Sequence, residues 1–297
     1  MEIRQLRSFQ AVANLLSFNK AADRLNYAQS SISAQIQALE EELRVQLFDR
    51  LGRRVLLTEA GTQLLEYANK ILDLVDESHS EMAGAKEPLG SLTIRIPETF
   101  GVHRLPAVIQ EFHTRFPKIQ LNFITCAHEG LEKDLRKGLT DLAFLLTESF
   151  QTADLLSETL GFESVVLVAG SDHPLAAKVA VHTRELAGET ILLSKVDCSY
   201  RKSFERLLHE EGIGKLTRLE FHSVETIKRS VRAGVGITVI PEIAVAEEVA
   251  AQKLVILPWT EGPIEVALLM IWYRDRWLSP TLRAFMEVAK RVLAQAA

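Results

Sequence analysis

The stretch SFNKAADRLNYAQSSISAQIQALEEELRVQLFDRLGRRVLLTEAG, residues 17–61, decides the fold of the N-terminal part of the chain. It predicts two short helices, the first around Ala21, Ala22 and Leu25, separated from the second by the turn Asn26-Tyr27-Ala28. In the second helix apolar residues recur at intervals of four, three and four, which fits the 3.6-residue period of an α-helix. These apolar residues are Ile32, Ile36, Leu39 and Leu43. The pattern predicts a helix-turn-helix.

The opposite side of the second helix carries the short side chains of Ser30, Ser33, Ala34 and Gln37. A helix that reads DNA needs an apolar stripe for docking and short polar side chains that let it lie deep in a major groove. Downstream, Gly52 separates two short apolar segments, which predicts a tight hairpin. Three basic residues cluster on this hairpin, namely Arg50, Arg53 and Arg54. The stretch therefore predicts a DNA-binding helix with a basic wing beside it.

These elements resemble the winged helix-turn-helix of LysR-type transcriptional regulators, a bacterial family. The resemblance rests on IRQLRSFQAVA at the start of the chain, the helices SFNKAADRL and QSSISAQIQALEEEL, the LFDR turn and the LTEAG segment. It continues through RFP at 115–117, TDLAFLL at 140–146, DHPLA at 172–176, HSVETIKRSVRAGVGITVIPE at 222–242 and LPW at 257–259. It implies an α/β protein with an N-terminal all-α winged helix-turn-helix, a long linker helix and a C-terminal two-subdomain α/β domain like a periplasmic binding protein.

The resemblance also implies which residues contact DNA. Those residues are Gln29, Ser30, Ser33, Ala34, Arg50, Arg53 and Arg54. Gln29, Ser30 and Ser33 are expected at base edges or adjacent phosphates, and the arginines at phosphates or in the minor groove. Ala34 stands where the family often has a basic residue, Ser30 where proline is frequent, and Ala28 where a capping Ser is frequent. The first amides of the helix are therefore expected to depend on Gln29 or Ser30. A solvated surface side chain is the alternative for each residue.

A long helix is predicted from about residue 59 to residue 84, with Thr58 as its cap. Its apolar residues follow heptad spacing, with Ser78 at one position of the seam. The dimerisation residues predicted from this seam, which continues to Met82, are Leu64, Ala68, Ile71 and Val75. The heptad predicts pairing with a second copy, and the alternative is a helix packed on its own domain. The resemblance implies a homodimer and, beyond it, a homotetramer of two dimers.

The segment GAKEPLG at residues 84–90 predicts a loop between two domains. Beyond it strands and helices alternate, which predicts a parallel-sheet α/β architecture. The predicted elements include a helix over 102–116, a strand over 163–170 and a helix over 202–211. Interruptions near Gly161-Phe162 and Pro263-Ile264 predict crossings between two subdomains. The predicted domains are a DNA-binding domain at 1–58, a linker helix and hinge at 59–87, and an effector-binding domain at 88–297, with subdomain I at about 88–161 and 267–297 and subdomain II at about 162–266.

The strand SLTIRI ends in Pro97-Glu98-Thr99, a strand-to-helix corner whose hydroxyls and free amides favour an anion. A Thr at this corner resembles the main ligand position of the family, although Thr99 could instead only cap its helix. The effector-binding residues predicted on this basis are Thr99, Phe100, Ser199, Arg201 and Ser223. The further cations that could meet a carboxylate are Lys195, His103 and Arg104. Glu98 would repel an anion unless it is paired or turned away.

The length of the chain is sufficient for two domains, and its net charge does not indicate a general affinity for nucleic acid. Its 297 residues carry a net charge of −5. Residues 1–58 hold eight Lys and Arg against six Asp and Glu, a net of +2, and the remainder holds 26 against 33, a net of −7. Such a division predicts site-specific DNA binding rather than binding driven by bulk charge.

Several other classes of protein are disfavoured. The sequence has no run of about 18 apolar residues, and its N-terminus lacks the order of a signal peptide, so we expect a cytoplasmic protein without a membrane partner. The enzyme motifs G-x-S-x-G, H-E-x-x-H, the P-loop and a G-x-G-x-x-G after a strand do not occur. The histidines are scattered, and Cys126 and Cys198 are too far apart to suggest a metal site. We therefore expect neither catalysis nor a metal or cofactor.

The sequence thus predicts a LysR-type transcriptional regulator that binds an inverted repeat in promoter DNA. The resemblance implies a small effector, expected to bear a carboxylate, bound between the two C-terminal subdomains, and contact with RNA polymerase. One alternative keeps the DNA-binding role but senses redox state through Cys198, which has Lys195 and Arg201 nearby in sequence. A second alternative, a solute-binding protein, is opposed by the N-terminal DNA reader and by the missing signal peptide.

Overall fold

The computed structural model describes residues 1–51, 54–82, 90–125, 130–148, 150, 152–195, 198–213 and 216–294. The side chains of residues 50, 51, 54, 73, 76, 77, 79–82, 198 and 199 lie outside this description. The chain divides into two compact units, Met1–Ser91 and Leu92–Ala297.

The N-terminal unit is a helix-turn-helix followed by a hairpin and a long helix. Its elements are α1 (Ile3–Leu15), α2 (Phe18–Leu25), α3 (Gln29–Leu43), β1 (Phe48–Leu51), β2 (Arg54–Leu57) and α4 (Glu59–Met82). The Ser17 hydroxyl caps α2 by accepting the N–H of Lys20 at 3.3 Å. At the other end of α2, Asn26 adopts a left-handed φ of 55° and turns the chain toward α3. Local signals in the sequence are thus sufficient to define both helices.

The apolar stripe of α3 is buried at three of its four predicted positions. Ile32, Ile36 and Leu39 are completely enclosed in a core that α1 shares. Leu43 is 36% exposed, so the fourth position of the apolar stripe is not buried. The reason is that α3 ends at Leu43, and the chain reverses at Arg44 with a φ of 56°.

Helix α4 packs part of its predicted seam on its own unit. Thr58 accepts the N–H of Gly61 at 2.9 Å, which confirms the predicted cap. Ala68 is completely buried in the N-terminal core, and Leu64 and Ile71 pack partly against the same core. The assignment of Ala68 to a dimer interface is therefore corrected, because a side chain enclosed by its own unit has no surface left for a second helix. Pairing through Leu64, Ile71 and Val75 remains a prediction.

The C-terminal unit is a layered α/β structure. Its strands are β3 (Ser91–Ile96), β4 (Gln120–Thr125), β5 (Leu142–Thr147), β6 (Leu155–Gly170), β7 (Thr190–Ser194), β8 (Thr217–Phe221), β9 (Ile237–Pro241), β10 (Leu254–Ile256) and β11 (Ile264–Tyr273). Its α-helices are α5 (Glu98–His103), α6 (Leu105–Arg115), α7 (Leu131–Arg136), α8 (Cys198–Glu210), α9 (Val224–Arg232), α10 (Ala246–Ala250) and α11 (Pro280–Ala294). Short 3₁₀ helices cover Pro174–Ala177, Thr183–Leu186 and Glu242–Ala244.

The strands form one mixed sheet in the order β4-β3-β5-β11-β6-β9-β7-β8, with β10 paired to β6 off this path. The pairs β3–β5, β7–β8 and β7–β9 are parallel, as predicted. The sheet predicted as parallel also contains antiparallel pairs, because β6 and β11 run antiparallel to each other from Ile264–Val165 to Tyr273–Leu155. Their register shifts between Leu268 and Leu269, opposite the segment around Gly161 where the sequence predicts an interruption. Strand β6 is also longer than predicted, because it begins at Leu155 and the predicted strand began at residue 163.

Two predicted helices have different bounds in the structure. The helix predicted over 102–116 is divided into α5 and α6 at Arg104, whose φ is −115°. Pro106 lies in the first turn of α6, where its missing N–H is tolerated and where an earlier helix cannot continue. Helix α8 begins at Cys198 rather than Lys202, which places Ser199 and Arg201 in its first turn.

Candidate functional site

Helix α3 presents a polar face to solvent while its apolar stripe is buried. Gln29, Ser30 and Ala34 are exposed, and Ser33 is half-buried. On the inner side, the Ser8 hydroxyl of α1 donates to Oε1 of Gln35 at 2.6 Å and ties the two helices together. The exposed face therefore sits on a helix that packing and hydrogen bonds hold in place, as DNA recognition requires.

The start of α3 does not use its polar residues as caps. Ala28 occupies the N-cap position in an extended conformation, and no side chain caps it. The Gln29 side chain instead donates from Nε2 to the Ser33 hydroxyl at 2.8 Å, one turn along the exposed face. Of the two residues expected to satisfy the first amides, Gln29 or Ser30, Gln29 does not do so, and its carboxamide lies on the face predicted to meet DNA.

The predicted wing is a two-stranded antiparallel hairpin. Strands β1 and β2 pair from Phe48–Leu57 to Leu51–Arg54. Arg53 lies outside the described residues, and the structure describes the backbone but not the side chains of Arg50 and Arg54. The hairpin is thus in place, and the roles of the three arginines remain predictions.

In the C-terminal unit, Thr99 and Phe100 lie at the second and third positions of α5 and are buried. The helix has Pro97 at its N-cap, so Thr99 does not cap it. Both residues line a small cavity with room for about one water molecule, and the other residues that line it are Arg104, Leu146, Glu163, Ile243 and Leu268. The Phe100 ring stacks on Phe144 with 4.5 Å between the ring centroids. The cavity contains the predicted ligand position, but the expected exposure of the Thr99 hydroxyl is wrong.

Glu98 is paired across the predicted cleft. Its Oε1 and Oε2 each accept the backbone N–H of Val224 at 3.1 Å, and the Ser223 hydroxyl donates to Oε1 at 3.3 Å. Val224 is the first residue of α9, and a helix N-terminus favours a carboxylate. Glu98 thus joins the start of α5 to the start of α9, and the predicted residue Ser223 is engaged by a carboxylate from within the chain.

The cations predicted to meet an effector are engaged by carboxylates or are uncharged. Arg104 donates from Nε to Glu163 at 2.9 Å. Arg201 pairs with Glu205 at 3.0 Å and with Glu220 at 2.6 Å, and Lys195 also pairs with Glu220, at 3.6 Å. These ion pairs direct the charges toward the protein's own side chains.

His103 adds little positive charge to this region at neutral pH. Burial lowers the pKa of His103 below its ordinary value of 6.5, and the charge of Lys228 lowers it further, against the effect of nearby carboxylates. The imidazole is therefore mostly neutral at pH 7, and it is a hydrogen-bonding group rather than a counter-ion for a carboxylate.

The structure brings together only part of the predicted effector site. Thr99, Phe100 and Ser223 lie at the α5–α9 junction, whereas Arg201 faces its acidic partners and the Ser199 side chain lies outside the description. The cavity also includes Leu146, Glu163, Ile243 and Leu268, which were not predicted as site residues from the sequence. No local signal marks these four as site residues, because they come from separate strands and turns.

Two further findings concern the described part of the chain. None of its helices has the length and apolar character that a membrane crossing requires. No group of three or more His, Cys, Asp or Glu side chains within it is arranged to hold a metal ion.

A helix-turn-helix with a wing, followed by an α/β unit with a cavity among its strands and helices, defines the class of ligand-responsive DNA-binding proteins. Residues 3–62 match the family described as bacterial regulatory helix-turn-helix protein, lysR family, and residues 85–294 match the LysR substrate binding domain. The chain belongs to the LysR family of transcriptional regulators.

Relatives match over nearly the whole chain. It is 38% identical to the uncharacterized HTH-type transcriptional regulator YwqM of Bacillus subtilis, over 98% of this chain and 99% of that protein. It is 34% identical to the HTH-type transcriptional regulator SoxR of an Arthrobacter strain, over 98% of this chain and 97% of that protein.

Solved structures agree with this fold. A full-length OxyR variant of Pseudomonas aeruginosa superposes with a TM-score of 0.69 at 26% identity, covering 99% of this chain and 94% of that one. CbnR in complex with its target DNA superposes with a TM-score of 0.67 at 24% identity, covering 98% of this chain and all of the other.

Proposed function

We propose that this regulator binds an inverted repeat in double-stranded promoter DNA as a homodimer, or as a homotetramer of two dimers, and contacts RNA polymerase there. The observation that carries the proposal is the exposed polar face of α3, opposite the completely buried Ile32, Ile36 and Leu39. Gln29 is the residue we assign to base contact, since a carboxamide pairs well with adenine N6 and N7. Ser30, Ser33 and Ala34 complete the reading face, and Arg50, Arg53 and Arg54 hold phosphates at the wing.

The copies would pair through the outer part of α4. Leu74 is 55% exposed and Val75 is half-buried, so apolar surface remains on this helix beyond the part that packs on the N-terminal core. Burial of such a stripe against a second copy is the usual way in which an amphipathic helix of this length is stabilised.

A small effector bearing a carboxylate would bind at the junction of α5 and α9. Support comes from Glu98, whose carboxylate already lies against Val224 and Ser223, so this place can hold such a group. The cavity has room for about one water molecule, far less than the 300–1,000 Å³ or so of typical ligand pockets. Entry of the effector therefore requires the junction to open, with Glu98 displaced from Val224 and Thr99 offering its hydroxyl.

Effector binding would change operator binding only if the effector prefers one arrangement of the domain. Opening of the α5–α9 junction supplies two such arrangements, because Glu98 satisfies Val224 in one of them and the effector does so in the other. The proposal assigns the chain no catalytic step, in keeping with relatives that are transcriptional regulators.

The test is a footprint on the promoter immediately upstream of the gene and on that of its divergent neighbour, with and without a panel of small carboxylates. Protection of an inverted repeat that changes in length or bend with one compound is the expected result. Absence of protection at every salt concentration would contradict the DNA-binding assignment. Protection that no compound alters would contradict the carboxylate effector while leaving the regulator intact.

A second candidate keeps the DNA-binding role and makes the signal oxidative, with Cys198 as the sensor. It is favoured by one structural relative, a Corynebacterium glutamicum OxyR mutant in its H₂O₂-bound form, at 26% identity and a TM-score of 0.60 over 99% of this chain and 92% of that one. Cys198 is the first residue of α8, a position at which a helix favours a thiolate. Promoter affinity that is unchanged by peroxide, in the wild-type protein and in Cys198→Ser alike, would contradict this candidate.

A further inference from the structure

Glu40 behaves differently from the acidic residues that follow it in α3. The sequence EEE at residues 40–42 has the appearance of one charged run, yet Glu41 and Glu42 are exposed and Glu40 is 7% exposed. The Oε1 of Glu40 accepts the backbone N–H of Leu47 at 2.7 Å and that of Phe48 at 3.3 Å. A carboxylate acceptor forms stronger hydrogen bonds than a neutral one, and buried bonds are strengthened further by the low dielectric.

Leu47 and Phe48 form the base of the wing. Phe48 is the first residue of β1 and pairs with Leu57 at the end of β2. The chain leaves α3 at Leu43 and returns at Leu47 beside the last turn of the same helix. The backbone N–H groups of Leu47 and Phe48 face this turn, where neither the helix nor the hairpin provides an acceptor for them. The Glu40 carboxylate supplies that partner and fixes the distance between the end of α3 and the hairpin.

The opposite side of the wing base is fixed by the start of α4. The Thr58 hydroxyl donates to the carbonyl oxygen of Gln46 at 2.7 Å, and the Thr58 N–H donates to that of Leu47 at 3.1 Å. Gly61 makes the approach possible, because a Cβ atom there would lie 2.1 Å from the Leu47 oxygen. Residues 46–48 are thus held between α3 and α4, with both polar backbone groups of Leu47 in use.

We propose that Glu40 is a positioning residue for DNA binding, which sets the angle between the recognition helix α3 and the wing so that both can engage one duplex. The proposal rests on the DNA-binding function of the family and not on the role of any single wing arginine. Its requirement is an acceptor oxygen at the position of Oε1, since Oε1 receives both hydrogen bonds. The negative charge strengthens both bonds, but the position of the oxygen, and not the charge, is what places Leu47 and Phe48 relative to α3.

Two substitutions separate the effect of the acceptor oxygen from the effect of the negative charge. Glu40→Gln removes the charge and keeps a carbonyl oxygen in place of Oε1. Glu40→Asp keeps the charge and withdraws both oxygens by one methylene. Glu41→Gln is the matched control for loss of a charge near DNA, because Glu41 is exposed and its carboxylate accepts a hydrogen bond from the Gln37 side chain of the same helix.

The experiment measures the Kd of each full-length variant against KCl concentration on two duplexes. One duplex is selected by the wild-type protein from a random-sequence pool, and the other is an unselected duplex of equal length. The slope of log Kd against log [KCl] counts the phosphates that are neutralised, at about 0.9 per phosphate. Melting of each variant reports stability separately. If the DNA-binding function itself were wrong, the wild-type protein would already fail to bind, whereas failure of the Glu40 proposal would appear only in the comparison of the variants with a wild-type protein that binds.

We expect Glu40→Gln to match Glu41→Gln in slope and in the ratio of the two Kd values. We expect Glu40→Asp to bind both duplexes at least tenfold more weakly, with a slope smaller by about one phosphate or more per DNA-binding head and with its ratio of Kd values retained. Those two results together support the proposal. A wild-type slope in Glu40→Asp, or a reduced slope in Glu40→Gln relative to Glu41→Gln, would overturn it.

Discussion

The Glu98 carboxylate accepts the backbone N–H of Val224 through both of its oxygens, at 3.1 Å each, although the two residues are 126 positions apart in the sequence. The contact closes the junction between α5 and α9 next to the cavity that contains Thr99. The group that a carboxylate effector would need is thus occupied by a carboxylate of the protein. Experiments can first test what happens to the domain when the contact between Glu98 and Val224 is lost or displaced.

Glu98→Ala should loosen the start of α9. A hydrogen bond to a charged group contributes about 1.5–3 kcal/mol, so amide exchange at Val224 should accelerate by about tenfold or more. Hydrogen–deuterium exchange of the full-length protein, read by mass spectrometry on peptides that contain Val224, measures the effect. Glu247→Ala, which removes an exposed carboxylate on α10, should leave this exchange unchanged. An unaltered rate at Val224 in Glu98→Ala would show that other contacts hold the junction.

Thr99→Val should abolish the response to the effector and leave operator binding intact. Valine has nearly the shape of threonine but lacks the hydroxyl, and Thr99 is buried within the C-terminal unit, whereas the helix-turn-helix belongs to the N-terminal unit. Thr99→Ser keeps the hydroxyl and should retain the response. Footprints with and without the active compound provide the readout. Loss of operator binding in Thr99→Val would contradict the division of roles between the two units.

Arg53→Ala should weaken binding to all duplexes by similar factors and reduce the salt slope by about one per head. The reason is that a wing arginine neutralises phosphates, which carry no sequence information. Competition titrations on a selected and a random duplex measure both quantities. Arg115→Ala, which removes an exposed arginine from the C-terminal unit, is the control. A loss confined to the selected duplex would assign Arg53 to base reading.

The helix-turn-helix could be predicted from the sequence because its signals are local. The period of Ile32, Ile36 and Leu39 defines the buried face, and Ser17 and Thr58 mark helix starts a few residues away from the groups they bind. Such features depend on neighbours within one or two turns, which a single sequence contains.

Contacts between distant segments could not be predicted in the same way. The pairing of Glu98 with Val224, the burial of Glu40 under Leu47 and the antiparallel path of β6 beside β11 all depend on how separate elements pack. The heptad of α4 illustrates the limit, because the same apolar period fits pairing with a copy and packing on the chain's own core. Ala68 packs on the chain's own core.

Ala28→Ser should stabilise the N-terminal unit. Ala28 occupies the N-cap of α3 with an extended φ of −70° and ψ of 144°, a conformation that suits a capping Ser, and no side chain caps the helix in the present sequence. Introduction of an N-cap hydroxyl contributes about 0.5–2 kcal/mol. Denaturant unfolding should show the increase, and Ala38→Ser, at an exposed position within α3, should show none. An unchanged stability would indicate that water satisfies these amides equally well.

Protonation of Glu261 should lower the stability of the C-terminal unit in acid. Burial raises the pKa of its carboxyl group, but hydrogen bonds from Thr260, Thr183 and His182 outweigh burial and hold the pKa at about 2, against 4.5 ordinarily. Because the folded-state pKa lies below the unfolded value, the stabilisation is complete above about pH 4.5 and is lost as the pH falls toward 2. The free-energy difference between the wild-type protein and Glu261→Gln, from urea unfolding, should therefore be largest at neutral pH and shrink through this range. Glu210→Gln, at an exposed position, should differ little from wild type at any pH, and a Glu261→Gln difference that is independent of pH would contradict the lowered pKa.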